Sequence, residues 1–407
     1  MTSIDKLRAY TAIPGCIFLF ILPFAHTVAL RLICLFALAA MVTYLWRHDP
    51  PPSLPFKLPM ASWAAVCWLS LAWSIEPSYS LGELVNEVGY SILTFFTFFY
   101  LTQTDVEWRR WRYAIIASFV AISVYAISNY LAYDDWVTTT RVGDRNTFST
   151  FVVLVTPFLL LTISQPEISA TGRVLAWLGL PIAAIGGYCT GNRIMWPALM
   201  VATLVFYLLH FRKLPVRGKR RAARIVGLGA VSVILLALFL SVASFRTGAP
   251  GAGLSEVETA LAHNPRPQIW SYAKERILER PLSGYGYGRG ILRQDFTTRF
   301  GNERIWHAHN GALNYVIEVG PFGLAALLWL TVAIGLEFWR TYGSDDRRSW
   351  QIGAFGLSLM AGLLIKTMTD DILVRDNALL FWASVGMTLG LARGVLRDPD
   401  SSGRPTR

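Results

Sequence analysis

The sequence predicts an all-α membrane protein with about twelve membrane-spanning helices. Its 407 residues are 54% hydrophobic and only 15% charged, whereas a soluble domain carries about a quarter charged residues. Long apolar runs recur along the chain, and roughly twenty apolar residues are enough for a helix to cross a bilayer. In lipid a helix forms all of its backbone hydrogen bonds internally. Runs of this length also differ from the alternating ten-residue strands of an outer-membrane barrel.

The apolar runs give the positions of the predicted spans in chain order. They cover residues 13–25, 28–46, 60–75, 84–101, 113–132, 147–163, 174–188, 194–211, 225–245, 322–339, 352–368 and 379–395. The basic stretch 108–112 is expected to lie between the fourth and fifth spans. The first run is expected to be a span and not a removed signal peptide, because no small-residue cleavage site follows it and a second run begins at once.

The net charge of +11 is explained by basic loops on the cytoplasmic side of a membrane. A strongly basic chain can also bind nucleic acid, and residues 212–224 hold seven Lys or Arg without an acid. In a membrane protein, however, such a segment is better explained as an anchor on the inner leaflet. We therefore expect membrane lipid as a partner and no nucleic acid, with the N- and C-termini both cytoplasmic.

A long polar loop precedes the tenth predicted span. It holds nine Lys or Arg against six Asp or Glu between residues 246 and 309, and this excess indicates either an anionic ligand or simply a soluble loop. Long loops cross the membrane regardless of charge, so the predicted topology places this one outside. The expected organisation is spans one to nine in 1–245, the loop in 246–310, and a half-helix, three spans and a cytoplasmic tail in 311–407.

The loop contains a predicted amphipathic helix. Asn264-Pro265 is typical of an N-cap followed by proline at the first helical position. Ile269, Ala273 and Ile277 then recur at helical spacing and give one apolar face. Pro281 is expected to end the helix.

A glycine-rich stretch, residues 283–290, follows and must be irregular. Glycines can let backbone amides approach a phosphate, but a phosphate-loop lysine and a flanking strand are both missing. A simple hinge of a lid is the other interpretation. Residues 310–319 are predicted to form one short helix, which Gly320-Pro321 separates from the tenth span.

His309 is the leading candidate for acid–base chemistry. A helix that starts at Asn310 places its positive end beside the imidazole, which disfavours the charged ring and leaves it able to accept a proton. A loop histidine of no consequence is the alternative, and His307 has the same ambiguity. Two histidines one residue apart, without nearby Cys or carboxylates, make a poor zinc site, so neither a metal nor another cofactor is expected. The four cysteines lie in or beside apolar runs and are expected to be small core residues.

Two arginines stand where a cation is costly. Arg193 is the last of four polar residues, 190–193, between two apolar runs, where it either reaches the headgroups or pairs with another group. Arg266 lies in the first turn of the loop helix, against the helix dipole, and a bound anion would resolve that conflict. An ordinary surface position is its alternative. Lys366 lies close to Asp370 and Asp371, and an internal salt bridge is its expected role.

These residues match three short patterns of one known family. His309, Asn310, Gly320 and Gly323 meet its pattern of His, then Asn, Ser or Gln, nine residues, Gly, two residues and Gly. An arginine that opens a span after a small-polar pair is matched at 191–193. The chain therefore resembles the O-antigen ligases and their relatives, the O-antigen polymerases and protein O-oligosaccharyltransferases.

The late large loop and a second arginine extend this resemblance. The family has an arginine before an aromatic residue in that loop, matched by Arg266 in RPQIW. The whole chain fits the family in architecture, whereas the motifs cover only a small part of it. The resemblance implies a C-type glycosyltransferase membrane fold in the bacterial inner membrane, with the active site on the periplasmic face.

The resemblance also implies a reaction. The donor would be O-antigen polysaccharide on undecaprenyl pyrophosphate, the acceptor a sugar hydroxyl of the lipid A core, and the transfer inverting and metal-independent. His309 would be the general base, and Arg193 and Arg266 would bind the pyrophosphate. Lesser candidates for phosphate or sugar contacts are Arg145, Arg289, His307 and Asn310. The alternatives are a polymerase, attachment of glycan to a protein serine and, from another class, a transporter or flippase.

Overall fold

The structure is a computed structural model that describes residues 3–49, 52–133, 136, 143–165, 168–214, 237, 265–369 and 375–397. Within these ranges the chain is mostly helical and contains no β-strand, which confirms the predicted all-α class. The predicted ninth span, 225–245, and the first part of the large loop, 246–264, lie almost wholly outside the described residues, as does the C-terminal tail.

Ten of the described α-helices come before the large loop. They are α1 (Ser3–Tyr10), α2 (Ala12–Ile21), α3 (Val28–Trp46), α4 (Lys57–Leu69), α5 (Pro77–Glu83), α6 (Tyr90–Leu101), α7 (Asp105–Tyr133), α8 (Arg145–Ser164), α9 (Ala170–Thr190) and α10 (Met195–Lys213). A 3₁₀ turn, Ser70–Trp73, follows α4, and a π-helical turn, Leu84–Gly89, joins α5 to α6.

Five more helices follow. They are α11 (Arg266–Glu279), α12 (Arg293–Phe300), α13 (Gly311–Gly343), α14 (Arg347–Thr367) and α15 (Arg375–Arg397). Helix α11 begins one residue later than predicted, with Pro265 in the N-cap position, and it ends before Pro281 as expected. Its predicted apolar face is confirmed, because Ile269 and Ala273 are fully buried.

Seven of the described helical segments are long and apolar enough to cross a membrane. They are Val28–Trp46, Pro77–Leu101, Asp105–Tyr133, Arg145–Ser164, Ala170–Thr190, Met195–Lys213 and Gly311–Gly343. The chain is thus a multi-pass membrane protein. The predicted spans 13–25 and 60–75 contain the shorter helices α2 and α4, and the total of twelve stays a prediction.

The basic stretch 108–112 belongs to a helix and not to the loop that was predicted for it. Helix α7 begins at Asp105, and Trp108, Trp111 and Arg112 lie buried on one face. The Arg112 guanidinium donates to the Gln165 side-chain oxygen at 2.6 Å. Spacings of three and four residues put these side chains on one face of the helix. The first turns of α7 are therefore packed inside the bundle through the two tryptophans.

Small residues allow one close helix contact in the bundle. Helices α6 and α15 pack together over their length. A Cβ at Gly386 would lie 2.5 Å from the Phe95 carbonyl oxygen, and one at Gly390 would lie 2.3 Å from that of Phe99. Without side chains at these positions the two backbones approach closely, which is the usual basis of helix association in lipid.

Helix α13 is broken at Gly320, as the sequence predicts. The backbone there has φ 72° and ψ −177°, a region that is essentially restricted to glycine. A Cβ at this position would lie 2.1 Å from the Leu282 carbonyl oxygen. The segment before the break, residues 311–319, is called the half-helix below.

A loop amide replaces a hydrogen bond that the break removes. Pro321 has no N–H, so the carbonyl of Ile317 cannot receive its usual donor four residues later. The amide of Tyr285 donates to that carbonyl at 2.8 Å, and the amide of Gly286 donates to the Glu318 carbonyl at 2.9 Å. The glycine-rich stretch thereby becomes part of the end of the half-helix.

We expect Gly320→Ala to destabilise the protein, because the added Cβ meets a strained φ and a fixed carbonyl. Strain of this kind costs about 1–3 kcal/mol. Gly335→Ala is the matched control: it lies in the same helix with nothing within 4 Å of its added Cβ and should be neutral or slightly stabilising. Thermal unfolding in detergent measures both, and equal midpoints for the two variants would contradict the assignment.

Candidate functional site

The half-helix begins with a side-chain cap. The Asn310 side-chain oxygen accepts from the amide of Leu313 at 3.0 Å, which satisfies one of the free amides at the start of a helix. Its side-chain nitrogen donates to the Met368 carbonyl at 3.0 Å, just beyond the end of α14. The predicted helix start at Asn310 is therefore confirmed, and the same residue joins two helix ends.

His309 lies immediately before this cap in a left-handed backbone conformation, with φ 48°. Its Nε2 is 3.2 Å from the carbonyl oxygen of Arg304. A carbonyl oxygen can only accept, so we infer that Nε2 carries the ring proton in this contact. Nδ1 is then the ring nitrogen that can accept a proton, at the amino end of the half-helix.

His307 is buried beside His309, with only 3% of its surface exposed. Its Nδ1 is 3.2 Å from the amide of His309 and 3.0 Å from the side-chain nitrogen of Asn314, whose oxygen accepts from Ala308 at 2.9 Å. An Nδ1 that accepts from two donors belongs to a neutral ring protonated at Nε2. These contacts orient the His309 backbone, and the two imidazole centroids lie 4.0 Å apart.

Cations surround the indole of Trp306 next to this pair. The guanidinium carbons of Arg289 and Arg293 lie 4.8 Å and 4.7 Å from its ring centroid, within cation–π distance. The Trp306 and His307 rings are 4.3 Å apart. Arg289, one of the lesser candidates, is therefore connected through two aromatic rings to His309.

Arg266 contacts the end of α14, next to the carbonyl that Asn310 contacts. Its guanidinium donates to the Thr369 carbonyl at 3.4 Å, one residue after the carbonyl that Asn310 contacts. Arg266 is the first residue of α11, so its predicted place in the first helical turn is confirmed. The predicted capping residue, Asn264, lies outside the described residues.

Lys366 connects the end of α14 to the turn that carries Arg193. It is fully buried, and its ammonium donates to the Asn146 side-chain oxygen at 2.7 Å. The Asn192 side-chain nitrogen donates to the same oxygen at 2.7 Å. Arg193 is the next residue after Asn192, and Arg145 is the residue before Asn146, so both predicted arginines flank this network.

Lys366 therefore has an asparagine partner that the sequence did not suggest. The expected salt bridge involved Asp370 and Asp371, and both lie outside the described residues. Arg266 contacts the end of α14 directly, and His309 and Arg145 are neighbours in sequence of Asn310 and Asn146, which also contact it. Arg193 follows Asn192, which reaches α14 only through Asn146.

The glycine-rich stretch is docked on the membrane helices, so its amides do not form an open phosphate loop. The amide of Tyr287 donates to the Ser70 hydroxyl at 3.2 Å, that of Gly288 to a Glu318 carboxylate oxygen at 3.0 Å, and that of Gly290 to the Tyr79 hydroxyl at 3.0 Å. These acceptors occupy the donors that an anion would need. The phosphate-loop alternative is wrong for these amides.

Tyr285 fastens the stretch to the loop helix. Its hydroxyl lies 2.9 Å from both the Arg276 carbonyl oxygen and a Glu279 carboxylate oxygen. Burial first, and then the hydrogen bond and charge of Glu279, raise the pKa of Tyr285 to about 12. The hydroxyl consequently keeps its proton at neutral pH and remains a donor to one of these oxygens.

An apolar cavity of about 150 Å³ begins beside the half-helix. Gly311 and Ala312 line one end of it, and Ile334 on α13, Leu363 on α14 and Trp382 on α15 line the rest. The cavity follows α13 past the break and into the membrane-spanning part of the bundle. Most of its wall is apolar, as in pockets that bind hydrocarbon groups.

Two buried carboxylates, Glu87 and Glu318, also line this cavity. Neither carboxylate is among the site residues predicted from the sequence, and nor are Asn146 and Asn314. An acid inside an apolar run is a signal of function that could have indicated Glu318. The asparagines carry no such signal, because their roles depend on partners far away in the sequence. Among the described residues no group of three or more His, Cys, Asp or Glu could hold a metal ion.

Comparison with known proteins finds one family match. The family model described as O-antigen ligase matches residues 178–328. The match confirms the resemblance over that range, which includes Arg193, Arg266 and His309, and it supports an O-antigen ligase-like glycosyltransferase. No curated protein matches the chain.

We expect Asn310→Ala to loosen the start of the half-helix, because it removes the acceptor for Leu313 and the donor to Met368. Loss of an N-cap of this kind costs about 0.5–2 kcal/mol. Asn310→Asp keeps the acceptor and loses only the donor, so it separates the two contacts. Hydrogen exchange at the Leu313 amide should be faster in the alanine variant alone, and unchanged exchange in that variant would refute the cap.

Proposed function

We propose that this protein is an O-antigen ligase that transfers O-antigen polysaccharide from undecaprenyl pyrophosphate to a sugar hydroxyl of the lipid A core. The observation that carries the proposal is the meeting point at the end of α14. Asn310, next to His309, and Arg266 contact consecutive carbonyls there, and Lys366 links it to the turn of Arg193. A base and a cationic site for a diphosphate thereby belong to one region.

The cationic groups would bind the leaving group. A lipid pyrophosphate carries two or more negative charges, and the forked guanidinium groups of Arg193 and Arg266 suit bidentate contacts with its oxygens. As the bond to the anomeric carbon breaks, charge grows on the pyrophosphate, and a cation already in place lowers the barrier. Lys366 would add a further positive charge behind this site.

His309 would act on the acceptor. Its Nδ1 would take the proton of the acceptor hydroxyl while that oxygen bonds to the anomeric carbon of the donor sugar. The bond from that carbon to the pyrophosphate oxygen breaks at the same time, and undecaprenyl pyrophosphate leaves. Attack opposite the leaving group inverts the anomeric configuration, and the reaction uses no metal or other cofactor.

The apolar cavity would receive the first isoprene units of the carrier lipid. Gly311 and Ala312, which follow His309 closely in the chain, line the cavity, and its lining extends along α13 to Ile334. A tail in this cavity would place its pyrophosphate near the end of α14. The site would then lie at the periplasmic face of the bacterial inner membrane, with both chain termini in the cytoplasm.

The decisive experiment combines the purified protein with lipid-linked O-antigen and lipid A core in detergent. We expect glycan on the lipid A core, and His309→Ala should lower the rate about 10²–10⁴-fold, the usual contribution of a positioned general base. His48→Ala is the control, because His48 is an exposed histidine just after α3 whose side chain contacts the carbonyl and the ring of Tyr44.

Other products would identify the alternatives. Longer lipid-linked chains would indicate a polymerase, and glycan on a protein serine would indicate an oligosaccharyltransferase. Movement of the lipid-linked glycan across a vesicle membrane without a new bond would indicate a flippase. Near wild-type ligation by His309→Ala would show that His309 is not the general base.

We expect Arg266→Lys to lower the rate of transfer substantially, because lysine keeps the charge but loses the fork that grips two phosphate oxygens. Loss of one such contact in a transition state costs about 3 kcal/mol, or hundreds-fold in rate. Arg280→Lys is the matched control, since Arg280 closes the same helix and lies over the Tyr285 ring. Steady-state kinetics with lipid-linked donor measure both variants. Full activity of Arg266→Lys would mean that Arg266 is an ordinary surface residue and does not bind the pyrophosphate.

A further inference from the structure

Glu318 is a carboxylate in an unusual position. It lies two residues before the break in α13, is only 2% exposed and lines the apolar cavity. An ionisable side chain in such surroundings is costly and marks a functional position by default. Its contacts show what it is used for, because both its backbone and its side chain bond to the glycine-rich stretch.

The two hydrogen bonds hold two glycines of that stretch, Gly286 and Gly288. The Glu318 carbonyl accepts from Gly286 at 2.9 Å, and its carboxylate accepts from Gly288 at 3.0 Å. The second bond depends on the Glu318 side chain and not only on the backbone. The stretch lies close against α5 at Gly288, where an added Cβ would lie 2.7 Å from the Tyr79 ring.

The residue after Gly288 connects this anchor to the site. Arg289 lies over the Trp306 ring at 4.8 Å, Trp306 touches His307 at 4.3 Å, and His307 touches His309 at 4.0 Å. The half-helix carries His309 at its amino end and Glu318 near its carboxyl end. One carboxylate thus ties the carboxyl end of the half-helix to the segment whose Arg289 is linked to His309 through the Trp306 and His307 rings.

We propose that Glu318 is a positioning residue, which fixes the distance between the glycine-rich stretch with Arg289 and the half-helix with His309. The proposal rests on the proposed transferase function of this site. Glu318 takes no proton from the acceptor and touches no reacting atom. Its carboxylate keeps the Arg289–Trp306–His307 stack aligned with His309, and misplacement of a reacting group by about 1 Å can cost 10²-fold in rate.

The test compares Glu318→Ala with Glu318→Gln. Alanine removes the acceptor for Gly288, whereas the glutamine amide oxygen can still accept. We expect hydrogen exchange in residues 285–290 to be at least about tenfold faster in the alanine variant and near wild type in the glutamine variant. The kcat for transfer should fall at least about tenfold in Glu318→Ala with little change in the KM for donor, and Glu318→Gln should rescue it.

Tyr315→Phe is the matched control for the exchange measurement. Tyr315 is also buried in the half-helix, and its hydroxyl accepts from the Trp63 indole of α4 at 2.5 Å. Its ring lies edge-on to Tyr287 of the glycine-rich stretch at 6.3 Å, and phenylalanine keeps that ring. Loss of the hydroxyl should leave exchange in residues 285–290 unchanged. Faster exchange in this control would mean that any damage to the half-helix loosens the stretch, which would overturn the specific role of Glu318.

A second variant covers the case in which Glu318→Ala does not fold. Gly288→Ala leaves the carboxylate intact but displaces the stretch, because φ is 118° there and the added Cβ meets Tyr79. It should lower kcat in the same way. Unchanged kcat in Gly288→Ala, or unchanged exchange in Glu318→Ala, overturns the proposal.

The two proposals fail in different ways. Hydrogen exchange is measured without substrate. If the wild-type protein transfers no glycan but the Glu318 variants show the expected exchange, the proposed function is wrong and the contact between Glu318 and the glycine-rich stretch is still supported. If the wild-type protein ligates normally and Glu318→Ala has the same kcat, the proposed function is supported and the positioning role of Glu318 is wrong.

Discussion

The hydrogen bond from the Tyr285 amide to the Ile317 carbonyl is the interaction on which the site depends. A membrane helix satisfies its backbone internally, and Pro321 removes one of the donors that would do so in α13. In lipid this carbonyl would be costly without a partner. The glycine-rich stretch supplies the donor, so the break in the helix and the docking of the loop require each other.

This requirement explains why glycines occur on both sides of the contact. Gly320 adopts a conformation that a side chain would not tolerate, and a Cβ there would strike the Leu282 carbonyl. On the loop side, a Cβ at Gly284 would lie 2.6 Å from the Ile317 carbonyl oxygen. The close backbone approach in turn places the carboxylate of Glu318 at the amide of Gly288. Backbone strain at one point of α13 therefore determines where the loop, and Arg289 with it, can lie.

Two buried ionisable side chains near the site are hydrogen-bonded to neutral groups. Asn146 accepts from Lys366, and the Gly288 amide donates to Glu318. Each bond offsets part of the cost of burying a polar group. Through Asn146, Lys366 is also linked to the turn of Arg193, which suits the anionic ligand of the proposed reaction. Arg31 lies in an ion pair with Asp376, as expected for a structural contact in a membrane bundle.

The sequence alone determined the helical membrane class, the break at Gly320, the helix start at Asn310, and the resemblance carried by Arg193, Arg266 and His309. These follow from local patterns, because apolar runs, capping residues and Gly-Pro pairs act on the residues beside them. Only the tertiary structure decided which groups meet. Asn146 and Lys366 are far apart in the chain, as are Gly288 and Glu318, and neither pair has a periodic signal. Their partners are chosen by the packing of α8, α13 and α14, where each buried polar atom must find a hydrogen bond within the bundle.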